Sequence, residues 1–273
     1  MPTVLDIENL LEEWAPKSLA EEWDNVGLQI GNPKAKVSKI LIALDPAPPL
    51  LKKAREIGAD LVITHHPMIF KPLYSLDLSQ WIPSAVADFI HSGISLIAMH
   101  TNLDAAKGGV SDQLAAPLMF KTISPLLVRQ ADLQGTGIGR VGLLERPLRL
   151  EEIIRAYSTF LKPGLLTISG DPGKTVSKVA ICGGSGSDLW PEVISSEADL
   201  FISAEIKHSI LREAEALGRA VISAGHFQSE WPVVPAIANY LRTALEKSSW
   251  SVDITIFEEE APPAWTAGTE QSE

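Results

Sequence analysis

The sequence predicts an α/β protein of strand–helix units. Short apolar runs rich in Val, Ile and Leu recur along the chain, and several end directly at Asp, His or Gly. Amphipathic stretches with helical spacing lie between them. Over 273 residues, 45% are hydrophobic and 21% charged, the balance of a globular domain with ample core. Continuous apolar runs suit strands covered on both faces, and their alternation with helices argues against an all-β protein or a bundle.

In chain order, helical patterning opens at 6–14, and the first buried strand is expected at 39–44 (KILIAL). A helix at 48–57 leads to a strand at 60–64 (DLVIT), then a helix at 82–91 and a strand at 94–98 (ISLIA). The stretch 116–128 (APLMFKTISPLLV) follows this first block and is a plausible domain boundary. The second block holds a helix at 150–160 and strands at 179–182 (VAIC), 199–203 (DLFIS) and 220–223 (AVIS), with a helix at 206–217 closed by Gly218. A helix at 231–245 and a strand at 251–257 suit either block. Beyond Glu258 the composition predicts a mobile acidic tail.

The net charge is −11, of which five glutamates in residues 258–273 supply part, leaving −6 elsewhere. No Lys/Arg stripe offers phosphates a basic face, so nucleic acid is an unlikely partner. Cys182 is the only cysteine, which excludes an intrachain disulfide and a single-chain thiolate cage. The first residues carry acids where a signal peptide needs a basic end, and no run of 18 apolar residues occurs. A cytoplasmic location without membrane contact is expected.

Four of the six histidines follow predicted strands. His65 and His66 end the second strand, His100 follows the third, and His226 follows the strand at 220–223, with Glu230 four residues on. In open α/β sheets, ligands gather beyond the carboxyl ends of strands. Successive strand residues point to opposite faces, so adjacent histidines chelate one ion poorly but can diverge toward two. Glu230 has two oxygens with which to bridge such a pair. Asp104, near His100, is a further acid, although on its own it reads equally as a helix cap. Imidazole with carboxylate suits Zn, Fe, Mn, Co or Ni better than Ca or Mg.

Residues 182–188 (CGGSGSD) offer a glycine-rich turn that either presents N–H groups to an anion or packs backbone closely. Cys182 reads as buried filler. Glu205 and Lys207, just past a strand, read as helix-start charges or pocket-lining groups. No role is evident for Trp23-Asp24-Asn25.

Taken together, EEWDNVGLQIG (21–31), ITHHPMIF (63–70), MHTNLDAAKGGVSDQLA (99–115), CGGSGSDL (182–189) and SAGHFQSE (223–230) resemble the Nif-three-like dinuclear metal-centre family, whose members are often called type 2 GTP cyclohydrolase homologues. The resemblance implies two α/β domains with mixed sheets covered by helices. The first comprises 1–125 plus 226–258, with the last helix and strand returning to it, and carries the metal site. The second is 126–225, and 259–273 is the acidic tail. It also implies the short form of the family, without a central inserted domain, and a toroidal homohexamer.

The resemblance further implies two divalent ions per subunit, with His65, His66, Asp104, His226 and Glu230 as ligands and Glu230 bridging. His65 is expected to share one ion with His226, and His66 the other with Asp104. His100 faces substrate or braces a ligand, and with Glu230 is the candidate catalytic residue. The function expected is a metal-dependent hydrolase of a nucleotide-like or phosphorylated small molecule, GTP cyclohydrolase-like in name. The alternative is a non-enzymatic metal-binding or regulatory scaffold. In GHFQSE, Phe227 and Gln228 depart from the family's usual residues, which puts the surroundings of the ligands in doubt.

Overall fold

The computed structural model describes residues 1–128, 135–162 and 164–264. In chain order the elements are α1 (Val4–Trp14), β1 (Gly27–Ile30), β2 (Lys39–Ala43), α2 (Pro48–Ile57), β3 (Leu61–Thr64), α3 (Trp81–Ser92), β4 (Ser95–Ala98) and α4 (Thr101–Ala105). There follow α5 (Val110–Ala115), β5 (Phe120–Leu127), β6 (Ile138–Arg149), α6 (Leu150–Phe160), β7 (Thr167–Ser169) and β8 (Thr175–Ser185). The chain continues through α7 (Trp190–Ser195), β9 (Leu200–Ala204), α8 (His208–Ala216), β10 (Ala220–Ser223), α9 (His226–Glu230), α10 (Val233–Lys247) and β11 (Asp253–Ile256). Among the described residues, no helix is long and apolar enough to cross a membrane.

The chain divides into two compact units. One comprises Met1–Val110, Gln130–Gly137 and Val233–Glu260, and the other Ser111–Arg129, Ile138–Pro232 and Ala261–Glu273. In the first unit a five-stranded sheet has the order β1-β4-β3-β2-β11. Strands β4, β3, β2 and β11 are parallel, and β1 closes the edge antiparallel to β4. Ala43 is level with Thr64, and Thr64 with Ala98, so three parallel strands finish side by side. Whatever follows them therefore emerges along one sheet edge.

Local chemistry sets the helix ends. Thr3 caps α1, accepting from the Asp6 N–H while the Asp6 carboxylate accepts from the Thr3 N–H. Helix α2 begins with Pro48 and Pro49 and stops at left-handed Gly58, which satisfies the carbonyls of Ala54 and Arg55. One face of the sheet, α2 and α3 bury Leu41, Val62, Leu96, Leu50 and Phe89 in a shared core. Each such side chain contributes roughly 1.5–3 kcal/mol of transfer free energy. Helix α10 returns to this unit, where Tyr240 donates to the Leu10 carbonyl and stacks on Trp14.

The second unit holds a six-stranded sheet, β5-β6-β8-β9-β10-β7. Strands β8, β9 and β10 are parallel, while β5, β6 and β7 are antiparallel to their neighbours. Its core includes Leu150, Ile153, Tyr157, Val179, Ile202 and Ile222 on one face, and Trp190, Phe201 and Ala214 on the other.

The unit boundaries depart from the expected 125/126 and 225/226 for reasons of pairing. Segment 111–127 belongs to the second unit because β5 pairs with β6. Segment 226–232 belongs there because α9 packs on β8 and β9. The expected tail is also shorter at its start. Glu260 is buried and accepts from the N–H groups of Leu44 and Asp45, and Glu259 pairs with Lys53. Residues 265–273 of the expected tail lie outside the described residues.

Candidate metal centre

Strands β2, β3 and β4 end together, and Asp45, His65, His66 and His100 follow them at once. His65 is fully buried, and its Nδ1 lies 2.7 Å from the Met99 carbonyl oxygen. A carbonyl only accepts, so Nδ1 carries the ring proton and Nε2 keeps the lone pair in the neutral imidazole. His66 Nδ1 lies 2.7 Å from Asp45 Oδ1, and His100 Nδ1 lies 2.9 Å from Asp24 Oδ1. All three rings are thus held through Nδ1. A metal-ligating histidine is held in the same way by a carboxylate or carbonyl. His65, His66 and His100 form a group whose ligand atoms all lie within 4.8 Å of one another, able to hold a metal ion. Asp104, on α4, places Oδ1 3.7 Å from His65 Nε2.

Asp24 is held most firmly. It accepts from the Thr101 N–H and hydroxyl as well as from His100. Burial pushes its carboxyl up, but the hydrogen bonds from His100 and Thr101 and the charge on His100 more than offset this and hold it at about 2. The segment behind it is braced: Asn25 and Gln29 hold Ile69 by donating to its carbonyl and accepting from its N–H. Trp23 and Phe70 stand edge-on to His100, with ring centroids 6.1 and 6.4 Å away.

In the second unit, β9 and β10 run in register, Ser203 opposite Ser223, and the residues just beyond them are Glu205 and the Gly225-His226 turn. One turn of α9 puts His226 and Glu230 on one face, with Nε2 and Oε2 3.1 Å apart. Glu230 is buried, whereas 38% of the His226 side chain is exposed. Glu205 Oε1 lies 3.4 Å from His226 Nδ1.

The glycine-rich segment serves this arrangement rather than an anion. Gly184 has φ +65°, and a Cβ there would run into Glu230 Oε1. The N–H groups of Gly183 and Gly184 are taken by the hydroxyls of Ser111 and Ser229, and the Gly184 carbonyl accepts from Ser203. The segment lies mostly within β8, as strand rather than turn. Cys182 sits in the apolar core beside it, and Lys207 pairs with Asp188.

Three carboxylates escaped the sequence reading: Asp24 and Asp45 as histidine partners, and Glu205 as a neighbour of His226. Asp45 had a usable signal, since it directly follows a strand in the manner of His65. Asp24 had only its place in the motif EEWDNVGLQIG, because its partners lie 76 and 77 residues away.

Comparison with known proteins places this arrangement in context. The pattern of the Duf34/NIF3 family (NGG1p interacting factor 3) matches residues 2–263. A Clostridium perfringens protein named GTP cyclohydrolase 1 type 2 homolog is 33% identical over 241 residues, covering 88% of this chain and 92% of its own. A Streptomyces coelicolor protein of the same name is 33% identical over 271 residues, covering 98% and 95%. Among solved structures, a hypothetical protein of Staphylococcus aureus superposes with a TM-score of 0.88 at 26% identity, covering 98% of this chain and 100% of its own.

Proposed function

The chain belongs to the Duf34/NIF3 family, and from that membership we propose that it binds two divalent metal ions and hydrolyses a nucleotide-like or phosphorylated small molecule. The observation that carries the reading is the trio His65, His66 and His100, each held at Nδ1, with ligand atoms that all lie within 4.8 Å of one another. The proposed ligands are His65, His66, Asp104, His226 and Glu230, the set implied by the family resemblance. Because Asp104 stands beside His65 in the first unit, we group it with His65 rather than with His66 as the sequence suggested. Glu230 is the proposed bridge between the ions.

Such ions, when bound, lower the pKa of water toward neutrality and stabilise negative charge developing on oxygen. The residues of the chain supply the rest. Met99 and Asp45 orient the imidazoles of His65 and His66. His100, tied to Asp24, is placed to move a proton at the edge of the cluster. The relatives' name suggests a purine nucleotide as substrate, and the family resemblance suggests a homohexamer.

The test is elemental analysis of protein purified without added metal, beside His66→Ala and Glu230→Ala, followed by turnover on nucleotides and phosphate esters with the metal found. About two ions per chain, lost in both variants, with hydrolysis lost in parallel, supports the proposal. Metal without turnover over a broad panel turns the reading to the non-enzymatic scaffold. Failure to bind Zn, Mn or Fe removes it altogether. Light scattering of the same samples tests the hexamer.

A further inference from the structure

Three non-glycine residues adopt positive φ among the described residues: Glu197, Glu205 and Ser249. Two have an ordinary cause. Glu197 and Ser249 lie just past the ends of α7 and α10, with N–H groups donated to Ile194 and Glu246, where helices commonly finish in the left-handed conformation. Glu205 follows a strand instead. It leaves β9 at φ +52°, a conformation that a side chain with a Cβ adopts only at a cost.

The surroundings impose that conformation. The buried Ser187 hydroxyl donates to the Glu205 carbonyl and accepts from the Lys207 N–H, pinning the backbone on both sides. The turn aims the Glu205 carboxylate at His226, with Oε1 3.4 Å from Nδ1. The other ring nitrogen, Nε2, faces Glu230. His226 therefore faces a carboxylate through Nδ1, as His66 and His100 do, although at 3.4 Å its pair is a longer charge contact where theirs are hydrogen bonds of 2.7 and 2.9 Å. A strained residue beside a candidate ligand, held by a dedicated hydroxyl, is strain kept for a purpose rather than a residue of chain closure.

We propose that Glu205 is a positioning residue for His226: its carboxylate takes the Nδ1 proton and turns Nε2 toward the metal, at the expense of backbone strain. The inference rests on the proposed role of His226 as a ligand. Glycine at 205 relieves the strain and removes the carboxylate, whereas alanine removes the carboxylate alone. Glutamine keeps both the reach and an acceptor oxygen.

The experiment compares wild type, Glu205→Gly, Glu205→Ala, Glu205→Gln and His226→Ala by zinc competition, by the visible spectrum of the cobalt-substituted protein, and by thermal melting of the metal-free form. Glu205→Gly and Glu205→Ala should weaken zinc about 10–100-fold, as removal of a histidine's carboxylate partner does elsewhere. Glu205→Gln should restore most of that loss. The cobalt spectrum should shift in the Gly and Ala variants and not in Gln. Metal-free Glu205→Gly should melt at or above the wild-type temperature and above Glu205→Ala. A residue with a merely structural role would lose stability and metal together. If His226→Ala loses zinc while both Glu205→Gly and Glu205→Ala bind as wild type, this inference fails alone. If wild type binds neither zinc nor cobalt, the metal reading fails and takes this one with it.

Discussion

His66 and His226 are prepared differently by their own units. His66 emerges from a parallel strand end, with 20% of its side chain exposed, against Asp45 at 2.7 Å. Asp45 is itself steadied, because the buried Glu260 accepts from its N–H. His226 begins a five-residue helix, is 38% exposed, and has a half-exposed carboxylate at 3.4 Å whose backbone is strained. The first unit thus holds its imidazoles in place before any ligand arrives. The second holds its imidazole through a longer contact to a more exposed carboxylate. Pre-organisation lowers the ordering cost at the first station, and the second is correspondingly more adaptable.

The largest expected effect tests whether both stations are needed at all. His66→Ala and Glu230→Ala should each abolish stoichiometric metal, measured by elemental analysis, while far-ultraviolet circular dichroism stays close to wild type. Retention of two ions in either variant would break the comparison. Next, Asp45→Ala should weaken zinc by about 10–100-fold, by the same reasoning as for any carboxylate behind a ligating histidine. Because its pair is closer and better supported than Glu205–His226, its loss should exceed that of Glu205→Ala in the same competition assay.

Gly184→Ala probes the close approach of β8 to Glu230. A Cβ at φ +65° would press on the Glu230 carboxylate, so the variant should lose about 1–3 kcal/mol in urea unfolding and also bind zinc more weakly. Unchanged zinc affinity would show that Glu230 can retreat at no cost to the site.

The smallest effect concerns Asp24 in metal-free protein. Its carboxyl is held at about 2 against an ordinary 3.8, so the folded form binds this proton less readily than the unfolded chain does. The stabilisation is therefore complete above the ordinary value and is lost as pH falls toward about 2. Asp24→Asn should flatten the acid limb of stability over that window. An unaltered limb would mean that the hydrogen bonds to His100 and Thr101 do not persist in solution.

Much of this was legible beforehand where the signal is local. The parallel strands β2, β3, β4, β9 and β10 are continuous apolar runs, and helices α1, α2, α3, α6, α8 and α10 carry a clear period, so both were readable within a residue or two. Strands β1, β5, β6 and β7 were not. They lie at or near sheet edges, and β5 is largely exposed along its length and contains Pro125, so it carries neither a buried run nor a clean alternation. The histidines were readable because strand ends advertise themselves, whereas Asp24 and Glu205 were not, because pairing at a distance leaves no periodic trace.

The sequence by itself determined the alternating fold class and the candidate ligands at strand ends and helix starts, since both follow from side-chain type and spacing of a few residues. It also determined the family, through five motifs in order along the chain. Tertiary structure alone decided which nitrogen of each histidine is taken, that Asp104 stands beside His65, and that Gly184 makes room for Glu230 rather than for an anion. It also decided that Glu205 is held in a strained turn. Those are matters of register and close approach between segments remote in sequence, and a hydrogen bond of 2.7 Å depends on where two backbones meet rather than on what precedes either residue.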